Sequence, residues 1–107
     1  MKIGFIITKT PQEEGFNNFI TLLNIYRAHG EIIIYLIGNG VYGGVHGHIH
    51  TDLIHFLAEN HSVSVSENDL KARGQGKENL IPGAKLFHDY DDLVVDLMEE
   101  MDQVFSF

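Results

Sequence analysis

Val63-Ser64-Val65-Ser66-Glu67-Asn68-Asp69-Leu70-Lys71-Ala72-Arg73-Gly74 reads as a short strand running straight into the start of a helix. Val63 and Val65 alternate with Ser62, Ser64 and Ser66, the period of two that sends apolar and polar side chains to opposite faces of a strand. Ser66 suits an N-cap, and Ser66-x-x-Asp69 is a near capping box, in which each side chain satisfies a backbone N–H left over at the helix start. A strand end facing a helix start is where open α/β sheets place ligands and reactive side chains. Four of the seven cations, Lys71, Arg73, Lys77 and Lys85, follow closely, so the spot is locally basic in a chain of net charge −8. It is expected to welcome an anion.

Upstream, Lys2 to Thr8 is a continuous apolar run, as in a strand buried on both faces of a parallel sheet. Thr10-Pro11-Gln12-Glu13 offers an N-cap, a proline at the first helical position and a glutamate at the third. Phe16, Phe19, Ile20, Leu23 and Tyr26 then recur at helical spacing up to a glycine stop at His29-Gly30. Ile32 to Ile37 is a second apolar, β-branched run, so strand, helix and strand form a βαβ unit. Thr51 to Asn60 reads as a second amphipathic helix, and Glu67 to Arg73 as a short third. Downstream, Ala84 to His88 is a fourth strand, and Asp89 or Asp91 caps a fourth helix with Leu93, Val94, Leu97, Met98 and Met101 on one face. Gln103 to Phe107 closes the chain as a fifth strand. The expected fold is a three-layer α/β/α sandwich around a mostly parallel five-stranded sheet, one domain over residues 1–107.

Gly38-Asn39-Gly40-Val41-Tyr42-Gly43 spells GxGxxG after a strand. It follows the second strand instead of the first, and more glycines continue past it, so it lacks the context of a dinucleotide fingerprint. It reads instead as a mobile loop over the sheet edge. The loop runs into His46-Gly47-His48-Ile49-His50. Extended backbone would line the three imidazoles up on one side, and a helical turn would pair His46 with His50. Neutral imidazole suits zinc, nickel or copper, with Asp52 or His55 to complete the shell, so a histidine-loop metal site is one functional reading.

Composition narrows the field further. No stretch approaches the roughly 20 apolar residues of a membrane span, and the short apolar N-terminus lacks a cleavage-site pattern, so a cytoplasmic protein without membrane contact is expected. The acidic balance argues against nucleic acid, which is gripped mainly by Lys and Arg. Seven of the 15 acidic residues, Asp89, Asp91, Asp92, Asp96, Glu99, Glu100 and Asp102, crowd one late segment and read as a solvated helix face. The chain has no cysteine, which removes disulfides, thiolate ligands and thiol nucleophiles.

Ser66 to Gly74 resembles the segment Cys-Gly-Thr-Cys-Leu-Lys-Ala-Arg-Gly of DsrE/DsrF-like proteins, which include subunits of sulfur-relay complexes. Pro11-x-Glu13, Gly38-x-Gly40-Val41, Leu80-x-x-Gly83 and the ending Asp102 to Phe107 extend the similarity over nearly the whole chain. The resemblance implies a DsrEFH-like fold, assembly as a homomeric trimer or hexamer or with sister subunits, and a persulfide on the first motif cysteine of active members. A thiolate at a helix start is stabilised by the backbone amides, which lowers its pKa. Here Ser66 takes the place of that cysteine and Asp69 that of the second, and a serine cannot carry a sulfane sulfur. The resemblance thus points to a non-catalytic subunit or an anion-binding oligomer, its site lined by Ser66, Asn68, Lys71 and Arg73 with Gly38 and Gly40. A Ser66-dependent hydrolase is a further reading, with His46, His48, His50, His61 or His88 as base. It has no nucleophile-elbow motif behind it.

Overall fold

The two apolar runs pair at the centre of the sheet. In the computed structural model, which describes residues 1–107, β1 (Lys2–Ile7) lies parallel to β2 (Glu31–Leu36) in register from Lys2 opposite Glu31 to Ile7 opposite Leu36. β3 (Ser62–Ser66) adds to β2, β4 (Lys85–Phe87) adds to β3, and β5 (Gln103–Ser106) adds to the free side of β1. The five-stranded order is β4-β3-β2-β1-β5, and every pair is parallel, so the sheet is wholly rather than mostly parallel.

Handedness decides where the helices go. The chain steps in one direction from β1 to β4, so right-handed crossovers put α1 (Glu14–Tyr26), α2 (Thr51–Asn60) and α3 (Glu67–Ala72) on one face. The return from β4 to β5 runs the other way and carries α4 (Tyr90–Glu99) to the opposite face. The larger core joins Ile3, Phe5, Ile7, Ile32, Ile34 and Leu36 to Phe16, Phe19 and Leu23 of α1, Ile54 and Leu57 of α2, and Leu70 of α3. The smaller core sets Ile33 and Tyr35 against Leu93, with Leu97 and Met101 packed alongside. Because α3 and α4 leave their strands toward opposite faces, the ends of β3 and β4 form the crevice where parallel sheets bind ligands.

Two segments differ from the expectation. Thr10 does not cap α1: its carbonyl accepts from Glu13 N–H at 3.0 Å, closing a turn that buries Pro11, and the helix starts only at Glu14 with no side-chain cap. The glycine stretch is not a loose loop. Gly38–Gly44 winds into a 3-10 helix with Gly40, Val41, Gly43 and Gly44 buried. Beyond it Val45 forms an antiparallel bridge with Leu80, and Ile81 N–H donates to Gly44 O at 2.8 Å. A β-carbon on Gly40 would stand 2.0 Å from the Ile7 carbonyl oxygen, so glycine lets this turn lie directly on the end of β1.

Candidate functional site

Ser66 closes β3 and is 3% exposed. Its Oγ accepts the Asp69 N–H at 3.3 Å, so the serine half of the expected capping box forms. The other half does not. The Asp69 carboxylate turns across the strand ends instead, where Oδ2 accepts from Gly38 N–H at 2.9 Å and from the Tyr90 hydroxyl. Arg73 folds back over the same turn, its Nη1 donating to Asp69 O and its Nε to Asn39 Oδ1, both at 2.9 Å. Of the expected site residues, Ser66, Gly38 and Arg73 therefore converge on Asp69. Gly40 lies beneath as packing, and Asn68 is exposed with no side-chain hydrogen bond.

Asn39 and Tyr90 were not expected here. Tyr90 lies 21 residues from Asp69 and arrives only because α4 starts beside the crevice.

Burial pushes the Asp69 carboxyl up, but hydrogen bonds from Tyr90 and Gly38, with help from Ser66 and Arg73, more than offset it and hold the group below the ordinary carboxylate range. Burial and the neighbouring Asp69 raise the Tyr90 phenol. The cluster is thus an ionised carboxylate clasped by neutral donors. It ties α3, the glycine turn and α4 together, and it brings no histidine to Ser66 as base. His61 Nδ1 accepts Ile32 N–H at 3.1 Å, and His88 Nδ1 lies 2.9 Å from Glu67 Oε2, so neither reaches the serine. His46, His48 and His50 do not bond to it either.

On the other side of α3, Glu67 holds Lys71 at 2.8 Å and His88 at 2.9 Å. The Lys71 hydrogen bond keeps the Glu67 carboxyl below its usual range. The three side chains rim a hollow of about 490 Å³ between the ends of β3 and β4, floored by Leu70 and Leu86, with Lys77 on the rim. Lys71 and Arg73, expected to act together on an anion, thus face different neighbours: Lys71 is ion-paired with Glu67, and Arg73 is held by the Asn39 side chain and the Asp69 carbonyl.

The histidine segment does not assemble a metal shell. The chain bends after Val45, so the period-two alignment is lost, and no three His, Asp or Glu side chains converge anywhere. His46 is exposed. His48 Nε2 bonds to Gly43 O and its Nδ1 accepts His50 N–H, each at 3.0 Å, which fixes the Nε2-protonated tautomer and occupies both nitrogens. His50 stacks on Phe16 at 5.4 Å and 20°. His55 pairs with Glu59 one turn on, at 2.6 Å. Burial lowers the His48 pKa against the raising effect of the Gly43 bond. The unfolded chain therefore binds that proton more readily, and the stability His48 contributes is present above the ordinary imidazole pKa and lost as the pH falls below it. Imidazole NMR titration should show His48 neutral at pH values where a free histidine is already protonated. A midpoint at or above about 6.5 would show that the buried pairing is wrong.

The family model for DsrH-like proteins matches residues 15–104. The chain belongs to the DsrH-like family. This family sits among the sulfur-relay proteins of the DsrEFH group, whose DsrH members work with sister subunits. Among solved structures, the YchN protein of E. coli is similar over 100% of this chain and 99% of its own, with a TM-score of 0.77 and 19% identity. MTH1491 of Methanobacterium thermoautotrophicum, described as of unknown function, is similar over 99% and 98%, with a TM-score of 0.75 and 14% identity. At these identities the two show the fold. No curated protein matches the chain. As a DsrH-like protein it is sulfur-relay-related, yet it holds no cysteine, and no helix is long and apolar enough to cross a membrane.

Proposed function

We propose that this DsrH-like protein is a non-catalytic, cytoplasmic subunit of a sulfur-relay assembly, acting as an oligomer of itself or beside cysteine-bearing DsrE/DsrF-like sister subunits. The observation that carries the reading is Ser66. It stands where the resemblance puts the persulfide-bearing cysteine, and its hydroxyl is spent on the start of α3. The clasp of Asp69 by Gly38 and Tyr90 replaces a reactive group with a structural one. Anion binding at Lys71 and Arg73 is the lesser part of the proposal, because both cations already have partners in the chain.

Mixing the protein with purified cysteine-bearing relay subunits and a persulfide donor tests it. Light scattering should show a mixed trimer or hexamer, and intact-mass spectrometry should find added sulfur on the sister chains alone. Sulfur on this chain, or a monomer that ignores the sister subunits and does not self-associate, would refute the assignment.

A further inference from the structure

The expected apolar face of α4 is split in the structure. Leu93, Leu97 and Met101 turn to the sheet, whereas Tyr90, Val94 and Met98, spaced one turn apart, are 47%, 49% and 81% exposed. Val95, 50% exposed, widens the stripe, and Val104 on the neighbouring β5, 42% exposed, lies on the same side of the sheet. α4 alone covers this face, so apart from the contacts of Tyr90 with Phe87 and Asp69 nothing else in the chain packs over the stripe. Isolated exposed apolar residues are ordinary, but a stripe at helical spacing is the form in which helices are recognised by partners.

The charges around the stripe choose the partner. Asp91, Asp92 and Glu99 lie along its solvent-side flank, none is in an ion pair, and no Lys or Arg occurs after Lys85. Asp96 and Glu100 are already engaged by Tyr35 and Lys2. A second copy docked across a two-fold axis would set these carboxylates against themselves, and like charges juxtaposed at an interface oppose association. An anionic lipid surface would be repelled in the same way. A surface with apolar teeth and a Lys/Arg rim satisfies both the stripe and its charges.

We propose that the Tyr90/Val94/Met98 stripe of α4 is a docking surface for a basic-rimmed amphipathic helix of a different protein. The surface lies on the face of the sheet opposite α1, α2 and α3, and its recognition chemistry is independent of the sulfur-relay reading.

The probe is a synthetic amphipathic helix of leucine and lysine, with a counterpart carrying glutamate for lysine, titrated into the full chain and followed by backbone and methyl NMR. The lysine peptide should shift the signals of α4 around Val94 and Met98, with an affinity that falls as salt rises, and the glutamate peptide should not bind. Val94→Ser with Met98→Ser should weaken binding about tenfold, whereas Ile49→Ser, at a residue 87% exposed and remote from α4, should leave it unchanged. The melting temperature of each variant checks that the fold is intact. No binding, shifts centred elsewhere, equal affinity of the serine variants, or equal binding of the two peptides would overturn the proposal. So would self-association of the unmodified chain that the two serine substitutions abolish, since that would assign the stripe to a second copy.

Discussion

Gly40→Ala is expected to lower the unfolding free energy by about 3 kcal/mol, the upper part of the usual range for overpacking. The added methyl would stand 2.0 Å from Ile7 O, 2.7 Å from Ile7 C and 3.3 Å from Thr8 Cα. All three are backbone atoms, so no rotamer change relieves the clash. Either the end of β1 or the 3-10 turn has to move. Moving the turn strains the Ile37 N–H bond to Ile7 O, 3.0 Å long, and draws Gly38 N–H away from Asp69. Gly47→Ala is the control. Gly47 has φ +96° but open space around it, so that substitution should cost only about 1 kcal/mol of backbone strain. Urea denaturation of the two variants measures the difference, and equal losses would mean that the turn is not seated on β1.

The same turn shows where the sequence was readable and where it was not. Continuous apolar runs in Lys2–Ile7 and Glu31–Leu36 and alternation in Ser62–Ser66 are local signals, and they mark the strands to within a residue or two. Ser66 is read correctly as a cap, and of the two candidates left open, Asp89 and Asp91, it is Asp89 that caps α4; a cap is a bond between near neighbours, and Asp69 N–H and Asp91 N–H supply the donors. Misreadings occur where a side chain's partner is distant in sequence. Asp69 leaves its capping box for Gly38, 31 residues away, and no periodicity encodes that choice. The glycines look like a loose loop until β1 lies beneath them. Val94 and Met98 follow helical spacing as faithfully as Leu97, but a helix stripe broader than the surface it meets leaves one flank outside. Thr10-Pro11 carries genuine helix-start chemistry, and it was overridden by the burial of Pro11 in the preceding turn.

Asp69→Asn is expected to cost about 2 kcal/mol near neutral pH, because the amide keeps the shape but gives up the charge that strengthens the bonds from Gly38 and Tyr90. The pH dependence identifies the cause. The folded Asp69 carboxyl lies below its unfolded value, so its contribution is complete above the unfolded carboxylate pKa of about 4 and fades as the pH falls through the lower folded value. The stability gap between the native protein and Asp69→Asn should therefore be constant from neutral pH down to about 5 and close below it. Tyr90→Phe separates the two donors. It deletes the hydroxyl but leaves Gly38 N–H on the carboxylate, so alone it should cost less, and in the Asp69→Asn background its cost should shrink further because the two side chains act as one unit. A gap that stays the same at acid pH, with additive losses in the double variant, would mean that the carboxylate contributes no charge-dependent stability. The family's reactive position would then be held shut by packing around Ser66 instead of by the Asp69 clasp.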